Sequence, residues 1–140
     1  MGTWIANASR SRDRLAAWCV STDDIDRVAE RLGLAVTPGS RSLPDGRTLT
    51  WRSAGFDGVP ERPDLPFFIS WGRLPELHPG RARAEHRVQP RGIEWIEVAT
   101  DHARLCGWLG GEEVPVRAVD GEPGIRAVGI QTTREEIVLA

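Results

Sequence analysis

The chain has 140 residues, the length of one ordinary domain with enough apolar surface to form a core. Hydrophobic residues make up 40% of it and charged residues 27%, as in a typical globular protein. The net charge of −2 argues against a general nucleic-acid-binding protein, which needs a basic excess, and no apolar run approaches the ~20 residues of a membrane-spanning helix.

A helix is predicted in the segment VSTDDIDRVAERLG at 20–33. Its apolar residues recur with the spacing of an amphipathic helix: Ile25, Val28, Ala29 and Leu32. Thr22 or Asp23 is suited to the N-cap, because a short oxygen-bearing side chain accepts hydrogen bonds from the free amides of the first turn. Gly33 predicts the end of the helix, since glycine readily adopts the left-handed conformation found there.

Four strands are predicted around this helix. The apolar run at 14–20 precedes the helix. Two extended runs on either side of Pro44-Asp45-Gly46 follow it as a hairpin, because these residue types favour turns. The run LPFFISWG at 65–72 supplies the fourth strand. The first half of the chain therefore has the order β-α-β-β-β.

The second half repeats this order after a stretch without apolar periodicity. Residues 73–92 are rich in Pro and Arg, and we interpret them as an exposed linker. A strand at 92–100 then leads into a helix that Thr100 or Asp101 caps and Gly110 ends. Three further strands are predicted at 114–120, 124–133 and 135–140.

The two halves also resemble each other in sequence, since VATDHARLCGWLG at 98–110 repeats the pattern of VSTDDIDRVAERLG. We predict an α+β fold of two β-α-β-β-β modules, each with a curved, mostly antiparallel sheet and one helix on the outer face. Neither module has enough core to stand alone, so we expect the two sheets to enclose a cleft. The single domain 1–140 then consists of module one (14–72), the linker (73–92) and module two (93–140).

Cys19 and Cys106 are far apart and lack the C-x-x-C spacing of a redox or zinc motif. We expect both to be buried free thiols in a reducing cytosol. The segment at 1–12 lacks the apolar core of a secretory signal, which agrees with a cytoplasmic protein. A nucleophilic Cys19 would need an adjacent His or helix N-terminus, and the sequence supplies no evident partner.

Four motifs in the chain resemble the glyoxalase-like branch of the vicinal oxygen chelate superfamily, which includes glyoxalase I, extradiol dioxygenases and bleomycin-resistance proteins. The motifs are LAAWCVSTDDID at 15–26, SRSLPDGRTLTWR at 40–52, LPFFISWG with the following HPG within 65–80, and TTREEIVL at 132–139. Together they span nearly the whole chain from residue 14 onward. The resemblance implies paired β-α-β-β-β modules around a ligand-binding cleft.

The chain departs from this family in two respects. Members of the branch usually carry a further N-terminal β-α-β-β-β unit, so either two modules suffice here or a second chain supplies the missing surface. Superfamily enzymes also place His or Glu on the first strand of each module and Glu on the last, where they hold a divalent metal such as Fe(II), Mn, Zn or Ni. The run at 14–20 has no such ligand, and His78, His86 and His102 lie in the linker or at a helix start. We therefore predict no metal and no other cofactor.

Glu97 is the predicted catalytic residue. Alternation along the strand at 92–100 places Trp95 and Glu97 on one face and Glu94, Ile96 and Val98 on the other. We assign Trp95 and Glu97 to the cleft, where a Glu beside Trp could act as a general base. The alternative is a structural Glu that pairs with a nearby Arg at the strand end.

Five residues are predicted to bind a ligand: Arg41, Trp51, Arg52, Trp71 and Trp95. Indoles on strands can form a flat wall for a ring-bearing ligand, although Trp in a strand also serves core packing. Arg52 follows Trp51 and must point to the other sheet face. With Arg41 it could hold a carboxylate through bidentate hydrogen bonds, unless each guanidinium lies exposed beside an acidic neighbour.

The resemblance and the repeat together predict a protein that binds a small organic molecule in the cleft without a metal. One alternative is a metal-dependent lyase, isomerase or dioxygenase whose ligands are shared across a dimer. The other is a non-catalytic interaction domain whose Trp side chains fill the cleft, because a fold does not determine a function. We expect a small organic ligand and a second copy of the chain as partners, and neither nucleic acid nor a membrane.

Overall fold

The computed structural model describes residues 15–72, 78–81 and 88–140. These residues form two α-helices and two four-stranded mixed sheets, which confirms the predicted α+β class. The chain divides into two compact units. The N-terminal unit comprises Cys19–Gly58 and Pro66–Ala84, and the C-terminal unit comprises Met1–Trp18, Val59–Leu65 and Glu85–Ala140. None of the helices in the described parts is long and apolar enough to cross a membrane.

The N-terminal unit has the predicted order of one strand, one helix and three strands. Its elements are β1 Cys19–Ser21, α1 Ile25–Leu32, β2 Val36–Ser42, β3 Thr48–Ala54 and β4 Phe67–Trp71. The sheet order is β1-β4-β3-β2, with β1 parallel to β4 and the other pairs antiparallel. The first strand is thus shorter than the apolar run at 14–20 predicts.

Local interactions fix both ends of α1. Asp24 is the N-cap, and its carboxylate accepts the N–H of Arg27 at 3.0 Å, so the helix begins slightly later than predicted. Gly33 ends the helix with a φ of 64°, and the N–H of Leu34 donates to the Ala29 carbonyl at 2.9 Å. This pair of features is the Schellman C-cap, which glycine adopts without strain. The predicted apolar stripe is buried except for its last residue, which is half-buried.

The two faces of the N-terminal sheet carry different residues. Arg52 of β3 forms an ion pair with Asp26 of α1, so the helix packs on the Arg52 face. Phe68 is opposite Ala54 on that face and has no exposed surface. Burial of a Phe side chain stabilises a fold by about 1.5–3 kcal/mol, so the helix face forms the core of this unit. Trp51 alternates with Arg52 and lies on the opposite face, called the Trp face below.

The predicted hairpin is present at Pro44-Asp45-Gly46. The Leu43 carbonyl accepts the N–H of Gly46 at 3.0 Å, and the Leu43 N–H donates to the Arg47 carbonyl at 2.8 Å. Gly46 has a φ of 84°, the left-handed conformation that a turn of this type requires after its first two residues. The turn therefore sets the register in which β2 pairs with β3.

The C-terminal unit also follows the predicted order. Its elements are β5 Pro90–Ala99, α2 His102–Leu109, β6 Val116–Val119, β7 Gly124–Thr132 and β8 Glu136–Leu139. Asp101 caps α2 and Gly110 ends it, as the sequence indicates. β5 begins inside the predicted linker, whose residues 73–77 and 82–87 lie outside the described part of the chain.

The repeat does not extend to the pairing of the strands. The C-terminal sheet has the order β6-β5-β7-β8, so its first strand is central, whereas β1 lies at the edge of the N-terminal sheet. α2 connects two adjacent parallel strands, and α1 connects the two edge strands of its sheet. Similar helix segments thus serve two different connections, and the likeness between the halves is one of element order.

The segment Val59–Leu65 belongs to the C-terminal unit, although it lies within the predicted module one. Its Asp64 is only 1% exposed. The Asp64 carboxylate accepts hydrogen bonds from the Thr100 hydroxyl at 2.8 Å and the Arg104 guanidinium at 2.7 Å. The indole N–H of Trp18 donates to the Asp64 carbonyl at 3.3 Å. A buried carboxylate needs such partners, so these contacts anchor the segment at the N-terminus of α2.

Candidate functional site

A pocket of about 190 Å³ lies in the N-terminal unit at the carboxyl ends of β1 and β4. These strands are parallel neighbours, so their carboxyl ends meet at one edge of the sheet. The pocket is lined by residues at these strand ends and in the segment after β4: Ser21, Thr22, Asp23, Ser70, Trp71, Gly72, His78 and Arg81. Its small volume suits a small metabolite.

Backbone hydrogen bonds hold the rim of this pocket in place. The N–H of Thr22 donates to the Ile69 carbonyl at 2.9 Å, which extends the β1–β4 pairing by one residue. The N–H of Gly72 donates to the Thr50 carbonyl at 2.8 Å. A Cβ at Gly72 would come within 2.3 Å of the Thr50 hydroxyl oxygen, so a larger residue here would displace the Thr50 side chain.

Two rings form one wall of the pocket. The centroids of Trp71 and His78 are 5.2 Å apart in an edge-to-face arrangement. Nδ1 of His78 accepts the N–H of Gly80 at 3.0 Å. Because an accepting ring nitrogen carries no proton, the neutral His78 ring has its proton on Nε2 and can donate from there.

Two opposite charges also line the pocket. Asp23 and Arg81 are both exposed, and within the described ranges neither forms an ion pair or a side-chain hydrogen bond. Among the residues that the structure describes, the pocket thus offers one carboxylate, one guanidinium, the imidazole and serine hydroxyls beside an indole surface. A guanidinium repels cations, so this donor set does not fit a divalent metal.

Three of the predicted ligand-binding residues lie on the Trp face. Trp71 lines the pocket, and its ring centroid is 6.1 Å from that of Trp51 on the neighbouring strand. The Trp51 indole covers Gly39 of β2, where a Cβ would come within 2.3 Å of the ring. Arg41 is exposed and opposite Leu49 in the register, which puts it on the same face as Trp51. Their role in ligand binding stays a prediction.

Arg52 lies on the helix face, as its alternation with Trp51 predicts. Its guanidinium donates to both carboxylate oxygens of Asp26, at 2.8 and 2.6 Å. These hydrogen bonds lower the pKa of Asp26 below its ordinary value. The bidentate geometry expected for a ligand carboxylate is therefore made with a carboxylate of the chain itself.

Trp95 and Glu97 lie on β5 of the C-terminal unit and are half-buried, whereas Ile96 and Val98 between and beyond them are buried. The Trp95 indole N–H donates to Glu136, and the Arg117 guanidinium lies 4.5 Å from the centroid of the Trp95 ring. Glu97 pairs with Arg117 and Ala127 in the strand register. The assignment of Glu97 as a general base stays a prediction.

The prediction that both thiols are buried is wrong, because Cys19 and Cys106 are both exposed. Cys19 lies on a three-residue edge strand, too short to be covered from both sides. Partial burial nevertheless raises the pKa of Cys19, so its thiol stays protonated at neutral pH and is a poor nucleophile. Sγ of Cys106 lies 3.7 Å from Nε2 of His102 one helical turn earlier, on the surface of α2.

Within residues 15–72, 78–81 and 88–140 there is no group of three or more His, Cys, Asp or Glu side chains that could hold a metal ion. His86, one of the three histidines considered as ligands, lies outside the described residues. The other two are separated in the structure: His78 lines the pocket of the N-terminal unit, and His102 begins α2 of the C-terminal unit.

Sequence reasoning found Trp71 but missed the rest of the pocket. His78 and Arg81 were hidden in the stretch interpreted as an exposed linker, because it has no apolar period. Asp23 was interpreted only as a helix cap. The sequence carries no signal for this site, because it depends on the parallel pairing of β1 and β4, which brings the residues after both strands to one edge.

The family model of the glyoxalase-like domain matches residues 1–111 of the chain. The chain therefore belongs to the glyoxalase-like domain family, which is consistent with the vicinal oxygen chelate superfamily. The match contains the first three motifs noted in the sequence and ends before TTREEIVL at 132–139. No curated protein and no solved structure matches the chain significantly.

Proposed function

We propose that this glyoxalase-like protein binds a small organic molecule, without a metal, in the pocket at the carboxyl ends of β1 and β4. The observation that carries the proposal is a small concave site in which an indole surface meets several polar groups. Ligand sites in proteins typically combine an apolar wall with a few polar groups that orient the ligand. The sequence predicts a cleft between two modules as the site, and the pocket offers a location within one of them.

The rim of the pocket and the His78 ring are held before any ligand arrives. The rim is fixed by the backbone hydrogen bonds of Thr22 and Gly72, and the His78 ring by Gly80 and Trp71. A site that is already formed loses little conformational entropy on binding, which favours affinity for a small ligand. Trp71 supplies the flat wall that the Trp-rich composition suggests.

Ser21→Phe tests this location. Ser21 is the exposed last residue of β1, so a larger side chain is tolerated by the sheet while its ring fills much of the pocket. Saturation-transfer NMR with a mixture of small acids, alcohols, amines and amino acids reports which compounds bind the full chain. At least one compound should respond with the unmodified protein and lose its response with Ser21→Phe.

Ser42→Phe is the matched control, because Ser42 is the exposed last residue of β2 and does not line the pocket. The response should survive in this variant, and circular dichroism should show both variants folded. The proposal is wrong if no compound responds, or if Ser21→Phe leaves every response intact. A response lost equally in both variants would also contradict it, since the effect would not be specific to the pocket.

A further inference from the structure

We propose that the ligand of this pocket is a zwitterion, a small acid that carries both a carboxylate and an ammonium group. This inference rests on the proposed function and specifies its ligand. The pocket presents two opposite charges that do not neutralise each other, Asp23 at the end of β1 and Arg81 in the short helix Pro79–Arg81.

Asp23 and Arg81 do not form an ion pair with each other. The ion pairs of the described residues join Arg47 to Asp45, Arg52 to Asp26 and Arg104 to Asp64. Asp23 and Arg81 take part in none of them, although both line the same small pocket. Their side chains are exposed, so water now solvates each charge separately.

A ligand that enters the pocket displaces part of this water. A ligand with one charge would satisfy one of the two residues and desolvate the other without compensation, which weakens binding. A zwitterion satisfies both: its carboxylate accepts from the Arg81 guanidinium and its ammonium donates to the Asp23 carboxylate. Hydrogen bonds between ionised groups are about twice as strong as neutral ones, so each of the two contacts favours the zwitterion.

The remaining lining agrees with such a ligand. Nε2–H of His78 and the hydroxyls of Ser21 and Ser70 can complete the solvation of a carboxylate, which accepts several hydrogen bonds. The Trp71 indole covers the carbon chain and offers its face to the ammonium group. A pocket of about 190 Å³ suits a short carbon chain.

Matched series of probes test the inference on the full chain. The zwitterions are glycine, 3-aminopropanoate and 4-aminobutanoate. The acids with the same number of carbon atoms are acetate, propanoate and butanoate, and the matching amines are ethylamine, propylamine and butylamine. Dissociation constants are measured by saturation-transfer NMR titration at neutral pH. At least one zwitterion should bind about tenfold more tightly than its matched acid and amine, the gain expected for an added charge-assisted hydrogen bond.

Two variants assign the charges. Asp23→Asn should weaken the zwitterion and strengthen the matched acid, because the carboxylate that pairs with the ammonium and repels the acid is gone. Arg81→Gln should weaken both the zwitterion and the acid. Asp57→Asn and Arg27→Gln, at exposed positions of the same unit outside the pocket, should leave all affinities unchanged.

The outcomes separate this inference from the proposed function. If an acid or an amine binds as tightly as the zwitterion, and Ser21→Phe abolishes that binding, the pocket binds ligands but the zwitterion inference is wrong. It is also wrong if Asp23→Asn leaves the preference for the zwitterion intact. If no probe or other small molecule responds in a manner sensitive to Ser21→Phe, both the inference and the proposed function fail.

Discussion

At the scale of single residues, the ion pair of Arg52 and Asp26 illustrates what a sequence shows and what it hides. Alternation along β3 correctly predicts that Arg52 and Trp51 face opposite sides. The sequence does not reveal that Asp26, on a helix 26 residues earlier, supplies the partner carboxylate. The sequence therefore leaves Arg52 as a candidate for ligand binding, although the fold already satisfies its guanidinium.

The ion pair of Arg52 and Asp26 should make the stability of the fold depend on pH. Hydrogen bonds from Arg52 lower the pKa of Asp26 in the folded state, and those from Arg47 lower the pKa of Asp45. A carboxyl with a lowered folded-state pKa stabilises the fold above its unfolded pKa of about 3.9, and this contribution is lost as the pH falls through the folded value. Arg52→Gln should return the pKa of Asp26 to the ordinary range, which carboxyl NMR titration measures directly.

The two pairs serve as controls for each other. Arg47→Gln should raise the pKa of Asp45 and leave Asp26 unchanged, while Arg52→Gln should do the reverse. Both variants should lose less thermal stability than the unmodified protein between about pH 5 and pH 3. In each variant, one carboxyl no longer has a lowered pKa in the folded state, so its protonation no longer destabilises the fold. An Asp26 titration unaffected by Arg52→Gln would mean that the ion pair does not persist in solution.

At the scale of elements, the features that could be predicted are local ones. The amino end of α2, the glycine ends of both helices and the hairpin turn each depend on residues within a few positions of one another, and all were predicted. Strand pairing joins residues far apart in sequence, and the order of elements along the chain does not determine it. The order β6-β5-β7-β8 could not be derived from a pattern that matches β1-β4-β3-β2 equally well.

The contacts of Asp64 that hold the segment Val59–Leu65 should stabilise the fold. Asp64→Ala removes a buried carboxylate that accepts from Thr100 and Arg104, so the Thr100 hydroxyl loses its partner. The half-exposed Arg104 can turn to water, which reduces the loss. We expect the free energy of unfolding to fall by about 1–3 kcal/mol, measured by urea denaturation.

Asp57→Ala is the matched control for this experiment. Asp57 is an exposed aspartate in the short helix Phe56–Gly58, and its removal should change the free energy of unfolding by less than about 0.5 kcal/mol. Asp64→Asn should lie between the two variants, because the amide oxygen still accepts a hydrogen bond but carries no charge. Equal effects of Asp64→Ala and Asp57→Ala would show that the Asp64 contacts do not stabilise the fold.

At the scale of the whole molecule, the fold class was predictable because binary patterns of apolar residues distinguish strands from helices. The location of the pocket was not predictable in the same way. Trp71 is visible as an aromatic residue on a strand, but His78 and Arg81 come from a stretch without any pattern. Their contribution depends on where the chain runs after β4, which follows from tertiary structure and not from periodicity.

Metal content separates the proposed function from a metal-dependent one. Enzymes of the vicinal oxygen chelate superfamily use a divalent metal held by His and Glu, so a metal-dependent reaction is the main alternative to the proposed function. The pocket argues for metal-free binding, because Arg81 places a positive charge in it and Nδ1 of His78 already accepts a hydrogen bond from Gly80.

The full chain purified without chelator should contain far less than one metal ion per chain by plasma mass spectrometry. Dialysis against EDTA should leave the melting temperature and the ligand response in saturation-transfer NMR unchanged. One tightly held divalent ion per chain or per dimer, whose removal abolishes the ligand response, would instead establish the metal-dependent alternative.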